Sequence, residues 1–484
     1  SREEFPSDAL TDMEAGSTSG AGYTNGAGSS EYKMLSYFAR VNYTLMDRYL
    51  FEVNMRADAS SRFHKDHRWG YFPSFSAGWR MSEESFMKDI EWINNLKIRA
   101  SYGTLGNINN VGNYDYFQNY SSGNHYNFSD SPVIGIGESK PANETLGWEK
   151  VALTDIGLDF DIFNGLLGVT ADYYIKNTSD ILLGYNVPTE TGITAAPSQN
   201  IGKVKNTGFE LALNHRNKIG AVNYSIGANI ATNKNKITNL GGSDNIIQTS
   251  SYIVKYILKK GESIGSFYGF KTDGLYTQAD IDAGHYYTLS GVVPNAGDIK
   301  FVPQRDIEYK QEITDEDRTI LGKDVPDFTY GVNLSLQYKG FEFSMFGQGI
   351  SGTKVAFDVY GVHPFYHGQD SPRKYHLKRW TEENPNPHAA YPRIYSASSV
   401  HTTYNRNFSD YHLFDSDYFR FKTLSLGYTV PSATVKNWGL QSLKVYVTGE
   451  NLFTVRADKK MEDFDPETAG GVIYTLGTKS VAFG

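Results

Sequence analysis

Apolar and polar side chains alternate residue by residue in the stretch DFTYGVNLSLQY, residues 327–338. Every second position is apolar, namely Phe328, Tyr330, Val332, Leu334, Leu336 and Tyr338. Because successive side chains of a strand point to opposite faces, one face of this segment is apolar and the other is polar. Lys339-Gly340 interrupts the alternation, which resumes at Phe341. The stretch therefore predicts a tight hairpin between two long amphipathic strands.

Thirteen segments show this period-two pattern, and each is predicted as a strand. They lie near 36–46, 49–58, 71–81, 95–105, 151–162, 166–176, 204–215, 221–233, 327–338, 341–350, 417–430, 442–453 and 474–484. In 417–430, Phe419 and Phe421 share their parity with Thr423 and Ser425. We interpret the upper part of that strand as standing above any apolar band, and a β-bulge is the alternative.

The connections between these strands alternate between short and long. Tight turns are predicted at Asp47-Arg48, Phe163-Asn164-Gly165, 217–220 and Lys339-Gly340, and a helical turn in each of the short links 82–94 and 431–441. The long links are 59–70, 106–150, 177–203, 234–326, 351–416 and 454–473. Loops of that length without strands or helices are unusual in a compact soluble domain. Short turns at one end and long loops at the other are typical of an outer-membrane barrel.

The apolar face either covers a protein core, as in a soluble β-sandwich or propeller, or faces lipid. The polar faces carry mostly Gly, Ser, Asn and Thr, and aromatic residues such as Tyr338 and Phe341 often mark the strand ends. Interfacial aromatic girdles and strands of about ten residues are features of membrane barrels. The pattern favours the barrel and leaves the soluble sheet open as the alternative.

Composition narrows the function classes. The 484 residues include 47 Gly, 35 Tyr and 28 Phe but no Cys, which excludes a disulfide scaffold and a thiolate metal site. The mean hydropathy is -0.45 and no apolar run reaches helical membrane length, which excludes a helical membrane protein. A net charge of -8 argues against nucleic acid as a partner.

No residue pattern indicates catalysis. The eleven histidines stand singly, without HExxH spacing, and neither a Ser-His-Asp order nor a P-loop is present. We therefore predict that the chain is not an enzyme and has no cofactor.

An ordered set of longer motifs runs through nearly the whole chain. It comprises RADASSRFHKDHRWGYFPSFSAGWRMSEESFM (56–87), LKIRASYGTLGN (96–107), WEKVALTDIGLDFDIFNGLLGVTADYYIKNTSDIL (148–182), VKNTGFELALNHR (204–216), GDIKF (297–301), EDRTILGKDVPDFTYGVNLSLQYKGFEFSMFGQG (316–349), RWTEENPN (379–386), DYFRFKTLSLGYTVP (417–431), LKVYVTGENLFT (443–454), FDPE (464–467) and TKSVAFG (478–484). This set closely resembles the C-terminal barrel of SusC/RagA-type TonB-dependent transporters of Bacteroidetes.

The resemblance implies an all-β fold: a transmembrane antiparallel β-barrel with short periplasmic turns and long extracellular loops, of which about 22 strands are expected in the whole barrel. On this basis the Gly/Ser-rich residues 1–35 are an extracellular loop fragment, and 36–484 is the C-terminal part of the barrel. We expect the plug, the TonB box and roughly nine strands on the N-terminal side to lie outside this chain, because thirteen of about 22 are predicted here. The final residues of the last strand are expected to be missing as well.

The implied function is active import across the outer membrane. The resemblance implies a SusD-like lipoprotein as a lid, and TonB-ExbB-ExbD as the energy source, reached through the missing N-terminal part. It also leaves room for a dimer of transporter–lid pairs. Oligosaccharides are the commonest implied ligand; a RagA-type peptide importer and a passive outer-membrane porin are the alternatives.

A neutral glycan is bound by aromatic platforms under sugar faces and by amide, carboxylate and Arg groups that meet hydroxyls. Loop 106–127 interleaves Asn with aromatic residues, and loop 357–412 contains HPFYHGQDSPRKYH and HTTYNRNFSDYH. The candidate substrate-binding residues are Tyr114, Tyr116, Phe117, Tyr120, His363, Phe365, Tyr366, Arg373, Tyr404, Asn405 and Arg406. The alternative is that these residues pack the loops together or contact a surface partner.

The segment VPQRDIEYKQEITDED, residues 302–317, follows GDIKF at a place where much of the family has an acidic, Gly-containing segment that indicates a calcium loop. It has no Gly at the turn, whereas a hard cation needs convergent oxygens on a sharply bent loop. We expect solvated acidic side chains here and no calcium.

Overall fold

The computed structural model describes residues 29–128, 131–184, 198–249, 253–357, 362–365, 371–468 and 477–484. The candidate residue Tyr366 lies outside these described residues. Strands dominate the described part of the chain, with a few short helices between them. No described helix has the length and apolar character needed to cross a bilayer.

The strands, in chain order, are β1 (Met34–Leu45), β2 (Tyr49–Ser60), β3 (Trp69–Arg80), β4 (Ile93–Asn107), β5 (Asn119–Phe128), β6 (Ser131–Lys140), β7 (Glu149–Ile162), β8 (Leu167–Gly184), β9 (Ser198–Ile219), β10 (Val222–Thr232), β11 (Lys234–Leu240), β12 (Asn245–Thr249), β13 (Lys255–Lys259), β14 (Ser266–Gly269), β15 (Lys271–Leu275), β16 (Thr288–Leu289), β17 (Ile299–Val302), β18 (Glu312–Ile313), β19 (Thr319–Lys323), β20 (Phe328–Tyr338), β21 (Phe341–Ser351), β22 (Lys354–Ala356), β23 (Leu413–Asp415), β24 (Tyr418–Thr429), β25 (Lys444–Arg456) and β26 (Ser480–Phe483). The α-helices are α1 (Gln278–Asp282), α2 (Val400–Asn405) and α3 (Ser432–Lys436). Short 3₁₀ helices span Met81–Glu83, Asp315–Asp317, Lys374–Lys378, Asp410–His412 and Lys459–Asp463.

One large antiparallel sheet contains all thirteen predicted strands. Its order is β1-β2-β3-β4-β7-β8-β9-β10-β20-β21-β24-β25-β26, and β11 pairs in addition with the long strand β9. Consecutive strands of the prediction are neighbours throughout, and β1 and β26 are the two edges of the described sheet. The thirteen strands and their sequential order are therefore confirmed, although only Ser480–Phe483 of the last predicted segment is paired as a strand.

The register places the predicted apolar residues on one face. In the middle of the sheet, Leu334 of β20 lies opposite Ile226 of β10 and Met345 of β21. Asn333, the preceding residue, lies opposite Gly227 on the other face. Large apolar side chains are exposed along that face from β2 to β25, and two concavities lie on the opposite, polar face. A contiguous exposed apolar surface marks contact with a membrane or another protein.

Tight turns join the strands at one end of the sheet, as predicted. Lys339 and Gly340 both have positive φ, 45° and 90°, which matches the right-handed twist of the flanking strands. The predicted helical turns are also present, as the 3₁₀ helix Met81–Glu83 and as α3.

A β-bulge at Lys422 explains the irregular parity of 417–430. On the β21 side, Gly347 pairs with Phe421 and Phe346 pairs with Thr423, so Lys422 has no partner in the ladder. On the β25 side, the register also shifts between Phe421 and Thr423. Lys422 is the extra residue, and it shifts the alternation by one position. Phe421 before the bulge and Leu424 after it therefore lie on the same, apolar face. Our preferred interpretation, in which the strand simply rises above the apolar band, is wrong in this respect.

The long links contain structure of their own, which the sequence analysis did not predict. Small sheets form from β5 and β6, from β12, β13, β14 and β19, and from the pairs β15–β17, β16–β18 and β22–β23. We call the described parts of 253–325, 353–416 and 457–468 the loop body, because three hydrophobic cores join these segments. The loop body lies at the long-loop end of the sheet and positions most of the candidate site.

Candidate functional site on the loop body and the concave face

Three predicted aromatic residues of loop 106–127 are open to solvent. Tyr114, Phe117 and Tyr120 are 47%, 49% and 64% exposed. Tyr116 is partly buried, and its ring centroid lies 4.2 Å from that of Phe117. The Tyr114 hydroxyl accepts a hydrogen bond from the backbone N–H of Glu31 at 3.1 Å. These rings are available to a ligand, although contact with a ligand stays a prediction.

Polar groups accompany this exposed aromatic group. Arg62 donates from Nε to Asn113 Oδ1 at 3.0 Å, and its guanidinium carbon lies 4.5 Å from the ring centroid of the exposed Tyr32. Sequence reasoning missed Tyr32 and Arg62, although Arg62 lies within the motif at 56–87. The arrangement combines open rings with guanidinium and amide donors, which is the chemistry that binds sugar hydroxyls and faces.

Tyr404 and Asn405 of α2 are enclosed in the loop body. Tyr404 is 1% exposed, and its hydroxyl donates to the carbonyl oxygen of Ile299 at 3.2 Å. Asn405 accepts from the Ile299 N–H at 2.9 Å and donates to Asp298 Oδ1 at 2.8 Å. Both side chains therefore connect α2 to β17, which is the packing role that the sequence analysis gave as the alternative.

The remaining candidate residues are likewise partly buried in the loop body and partly exposed. His363 is buried, with Nδ1 3.1 Å from the Tyr391 hydroxyl, while Phe365 is exposed. The guanidinium of Arg373 lies over the Phe464 ring, with 5.2 Å to its centroid. Arg406 and His363 line a small cavity of about 20 Å³. The structure thus separates an exposed group in loop 106–127 from a mainly buried group in the loop body, and binding by any of them stays a prediction.

Burial shifts the pKa of three histidines in the loop body. Removal from water lowers the pKa of His412 to about 4, outweighing the hydrogen bonds that favour its charged form. Burial also lowers the pKa of His376, and that of His363 well below its usual range. The rings of His363 and His412 lie 5.5 Å apart. All three histidines are therefore neutral packing residues near neutral pH.

The expectation of solvated acidic side chains in segment 302–317 holds for Asp306 and Glu308, which are exposed, but is wrong for Asp317. Asp317 is fully buried and accepts hydrogen bonds from the backbone N–H groups of Gln304, Arg305 and Thr314. Arg305 adds a salt bridge at 2.7 Å. Burial opposes ionisation, but these donors outweigh it and lower the pKa of Asp317 to about 2.

Within the described residues, no group of three or more His, Asp or Glu side chains is arranged to hold a metal ion. The absence of a cofactor stays a prediction.

A buried arginine joins the loop body to the sheet. Arg420 of β24 pairs with Asp465 at 2.6 Å and with Glu467 at 2.7 Å, and donates from Nε to Thr454 at 2.9 Å. Lys422 adds a contact of 2.7 Å to Glu467. The motif FDPE is thereby held against the concave face. Sequence reasoning quoted this motif but assigned no partner to its acids.

The concave face of β1 to β9 is charged, and several of its charges pair with each other. Arg40 pairs with Glu52, and Arg56 pairs with Asp58. Arg99 of β4 lies 2.9 Å from Asp159 of β7 and 2.9 Å from Asp172 of β8. We call this part of the concave face the charged sector.

This architecture has recognisable relatives. A sequence model described as "TonB dependent receptor-like, beta-barrel" matches residues 5–452. The chain belongs to this family. TonB-dependent receptor P3 of Formosa agariphila is 32% identical over 431 residues, which is 88% of this chain and 41% of that protein. TonB-dependent receptor SusC of Bacteroides thetaiotaomicron is 30% identical over 451 residues, or 91% of this chain and 42% of SusC.

The structure is also similar to that of the RagAB peptide transporter. The two superpose with a TM-score of 0.72 at 25% sequence identity, over 97% of this chain and 48% of the other. The chain spans less than half the length of each of these relatives.

The match to the TonB-dependent receptor family tests several of the predictions made from the sequence. It confirms the all-β transmembrane barrel as the fold class and the outer membrane as the location. The apolar face of the sheet is thus the lipid face, and the soluble sheet is rejected. Because the family consists of transporters, the prediction that the chain is not an enzyme is also confirmed.

Proposed function

We propose that this chain is the C-terminal barrel portion of a TonB-dependent active importer of the SusC/RagA type. The observation that carries the proposal is the match to the TonB-dependent receptor family over residues 5–452, on a thirteen-stranded sheet with one apolar face and one polar, concave face. A polar concave wall and an apolar outer wall are what a channel-forming barrel needs in lipid.

We propose the division of the chain given by the sequence analysis: an extracellular loop fragment at 1–35 and barrel from 36 to 484. The two edges of the described sheet, β1 and β26, support it. A barrel spans a membrane only when closed, since an unpaired strand edge is costly in lipid. Further strands of the same polypeptide would pair with these edges, and a plug would likewise lie outside this chain.

Oligosaccharides are the ligand class that we propose. The support is the exposed aromatic group of Tyr114, Phe117 and Tyr120, next to the guanidinium of Arg62 and the amide of Asn113. Aromatic rings stack on sugar faces, while these polar groups exchange hydrogen bonds with hydroxyls. Binding from several such contacts, each weak alone, allows release after capture.

A peptide is the second candidate ligand, favoured by two observations. The structure resembles that of the RagAB peptide transporter, and the charged sector carries both signs of charge. Peptide termini and charged side chains form ion pairs with such groups, whereas a neutral glycan offers them hydrogen bonds only.

We propose a SusD-like lipoprotein as the lid and TonB-ExbB-ExbD as the energy source, the latter reached through residues outside this chain. The loop body supports the lid, because its three hydrophobic cores make the long-loop end a packed surface rather than separate loops. Such a surface can hold a partner with little loss of conformational entropy. A dimer of transporter–lid pairs is compatible with this arrangement.

The experiment that tests active import is uptake of labelled oligosaccharides by cells with and without TonB. Uptake should stop when TonB is deleted; uptake that continues unchanged would show a passive porin instead.

The ligand class is tested by calorimetry of the transporter–lid complex with oligosaccharides and with peptides. We expect oligosaccharide binding, weakened about a hundredfold when Tyr114, Phe117 and Tyr120 are all replaced by Ala, since stacking on rings contributes on the order of 1 kcal/mol each. Binding of peptides alone would reject the oligosaccharide proposal. Ala at Phe86, an exposed ring in the short link between β3 and β4 at the opposite, tight-turn end of the sheet, is the matched control.

A further inference from the structure

Four exposed lysines stand together on one face of the ladder between β9 and β11. Lys203 and Lys205 are two residues apart on β9, and Lys234 and Lys236 are two residues apart on β11, so each pair points to one side of its strand. The register places Lys236 directly opposite Lys205, and Lys234 opposite Thr207. All four side chains therefore share one face, and we call this group the lysine patch.

The lysine patch continues the lipid face toward the long-loop end of the sheet. On the other face of the same ladder, Val204 lies opposite Ile237, and both are buried in a core with Leu240. On the lysine side, the alternation of β9 leads through Thr207 to Phe209, which is exposed on the lipid face. The four lysines therefore point outward from the barrel wall.

A row of exposed aromatic rings lies just below the lysine patch. Tyr173 of β8 pairs with Phe209 of β9, and Phe328 of β20 pairs with Thr232 of β10. The Thr232 hydroxyl accepts a hydrogen bond from the Phe209 N–H at 2.8 Å, which connects the two pairs. All three rings are exposed. Because aromatic rings of membrane barrels concentrate where hydrocarbon meets headgroups, the hydrocarbon layer ends near Phe209.

The lysines lie at the height of the headgroups. Lys234 is two residues beyond Thr232, and Lys205 is four residues beyond Phe209, which corresponds to roughly 7 and 13 Å along the strands. Strands tilted by about 40° reduce these lengths to heights of roughly 5 and 10 Å. The headgroup layer is roughly 5–8 Å thick on each side of a bilayer, and lysine side chains bend toward such a layer. The ammonium groups therefore reach the level of lipid phosphates.

The lysine patch has no counter-ion in the part of the chain that the structure describes. None of its four side chains forms an ion pair or a side-chain hydrogen bond with another described residue. Glu262 lies beside β11, where its carbonyl oxygen accepts from the Ile237 N–H at 2.8 Å, yet its carboxylate pairs with none of the four. Like charges directly opposite each other, as at Lys205 and Lys236, destabilise a ladder. The arrangement costs stability unless an external anion lies over it.

We propose that the lysine patch binds the phosphate groups of lipids in the outer leaflet of the outer membrane. A phosphate accepts charge-assisted hydrogen bonds from several ammonium groups at once, and Lys205 and Lys236 present two from directly opposed positions. The source is a lipid and not a soluble anion, because acyl chains of the same molecule contact the adjoining lipid face at Phe209. The strand β9 is the seventh of thirteen in the sheet, so strands that complete the barrel at β1 and β26 leave the patch uncovered.

The test uses the full-length transporter with its lid protein in a nonionic detergent, titrated with fluorescent lipid A, a phosphorylated glycolipid. The double variant Lys205→Gln with Lys236→Gln removes the two opposed charges. We expect its apparent Kd for this lipid to rise about thirtyfold, since each lysine near an anionic lipid surface contributes a factor of about five to six. Lipid A without phosphate should bind wild type and variant equally. Equal binding of the phosphorylated and phosphate-free lipids by the wild type would refute the proposal.

The matched control is Lys310→Gln with Lys374→Gln. Both are exposed lysines of the loop body, so this variant loses the same charge away from the lipid face. We expect its Kd for phosphorylated lipid A to stay within about twofold of wild type. An equal loss of affinity in both double variants, or no loss in the first, would overturn the proposal.

Thermal unfolding separates lipid binding from a structural role of the lysines. Without lipid, the variant at 205 and 236 should unfold at the same temperature as wild type or higher, because repulsion between the opposed charges is removed. Phosphorylated lipid A should raise the unfolding temperature of the wild type more than that of the variant. A variant that unfolds earlier without lipid would refute the proposal. Loss of the lid protein or of a second transporter copy, with lipid binding unchanged, would show a protein partner at the patch instead and would also overturn it.

Discussion

Replacing His412 by Gln should make the loop body less sensitive to acid. His412 is buried, and its two ring nitrogens lie 3.0 Å from the Ser409 hydroxyl and 3.0 Å from the carbonyl oxygen of Asn405. This network fits a neutral ring that donates from Nε2 to the carbonyl and accepts at Nδ1. Glutamine can donate and accept hydrogen bonds but does not titrate.

The magnitude follows from the pKa of His412, which burial lowers from 6.5 to about 4. The folded loop body binds the proton less well than the open form, so this contribution is fully present above pH 6.5 and is lost as pH falls toward 4. Between pH 7 and pH 5 the loss amounts to about 2 kcal/mol, or a roughly twentyfold increase in the population of the open form.

Hydrogen–deuterium exchange of the full-length protein in detergent measures this opening locally. For amides in 405–414, the exchange rate is first corrected for the intrinsic rate, and the wild-type rate is then divided by that of the Gln variant. This ratio should be about twentyfold larger at pH 5 than at pH 7. His388, which is exposed, supplies the control His388→Gln, and this variant should behave as wild type. The reasoning is refuted if the Gln variant at 412 keeps the wild-type response to pH. Buried His363 and His376 would account for any acid sensitivity that remains.

Three further predictions concern packing and lipid contact. Arg420→Met should weaken the attachment of 457–468 by about 3–5 kcal/mol, because Asp465 loses its ion-pair partner and Glu467 keeps only Lys422, and slow exchange retained there would contradict this. Tyr404→Ala should destabilise the loop body by about 3–5 kcal/mol, measured as a lower unfolding temperature of that part, while the barrel signal stays unchanged. Spin labels at Val332 and Leu334 should be accessible to oxygen and shielded from aqueous quenchers in lipid; the reverse accessibility would place these strands elsewhere.

The strand order was predictable because it depends on local information. A two-residue period and a pair such as Lys339-Gly340 determine where a strand runs, which face is apolar and where the chain reverses. Because each strand of this sheet pairs with the predicted strands before and after it in the chain, these local features also predict which strands pair. The bulge at Lys422 was visible as broken parity, but parity alone does not distinguish a bulge from a strand that leaves the membrane.

The interior of the loop body was not predictable in this way. Phe357, Phe414 and Phe464 share one core although they are far apart in sequence, and no period links them. Tyr404 and Asn405 have the residue types of a sugar site, yet segment 298–299, about a hundred residues away, encloses them. The residue types indicate a hydrogen-bonding role, and only the tertiary contacts decide which partner fills it.

The bulge at Lys422 makes the length of β24 as important as its composition. One residue fewer would rotate Arg420 toward the acyl chains and turn two phenylalanines toward water. A cation on the lipid side costs about 2–4 kcal/mol near the bilayer centre, before the loss of its carboxylate partners is counted. Single-residue deletions in this strand should therefore be far less tolerated than substitutions, and a gap in an alignment at this site would reverse which side chains meet lipid.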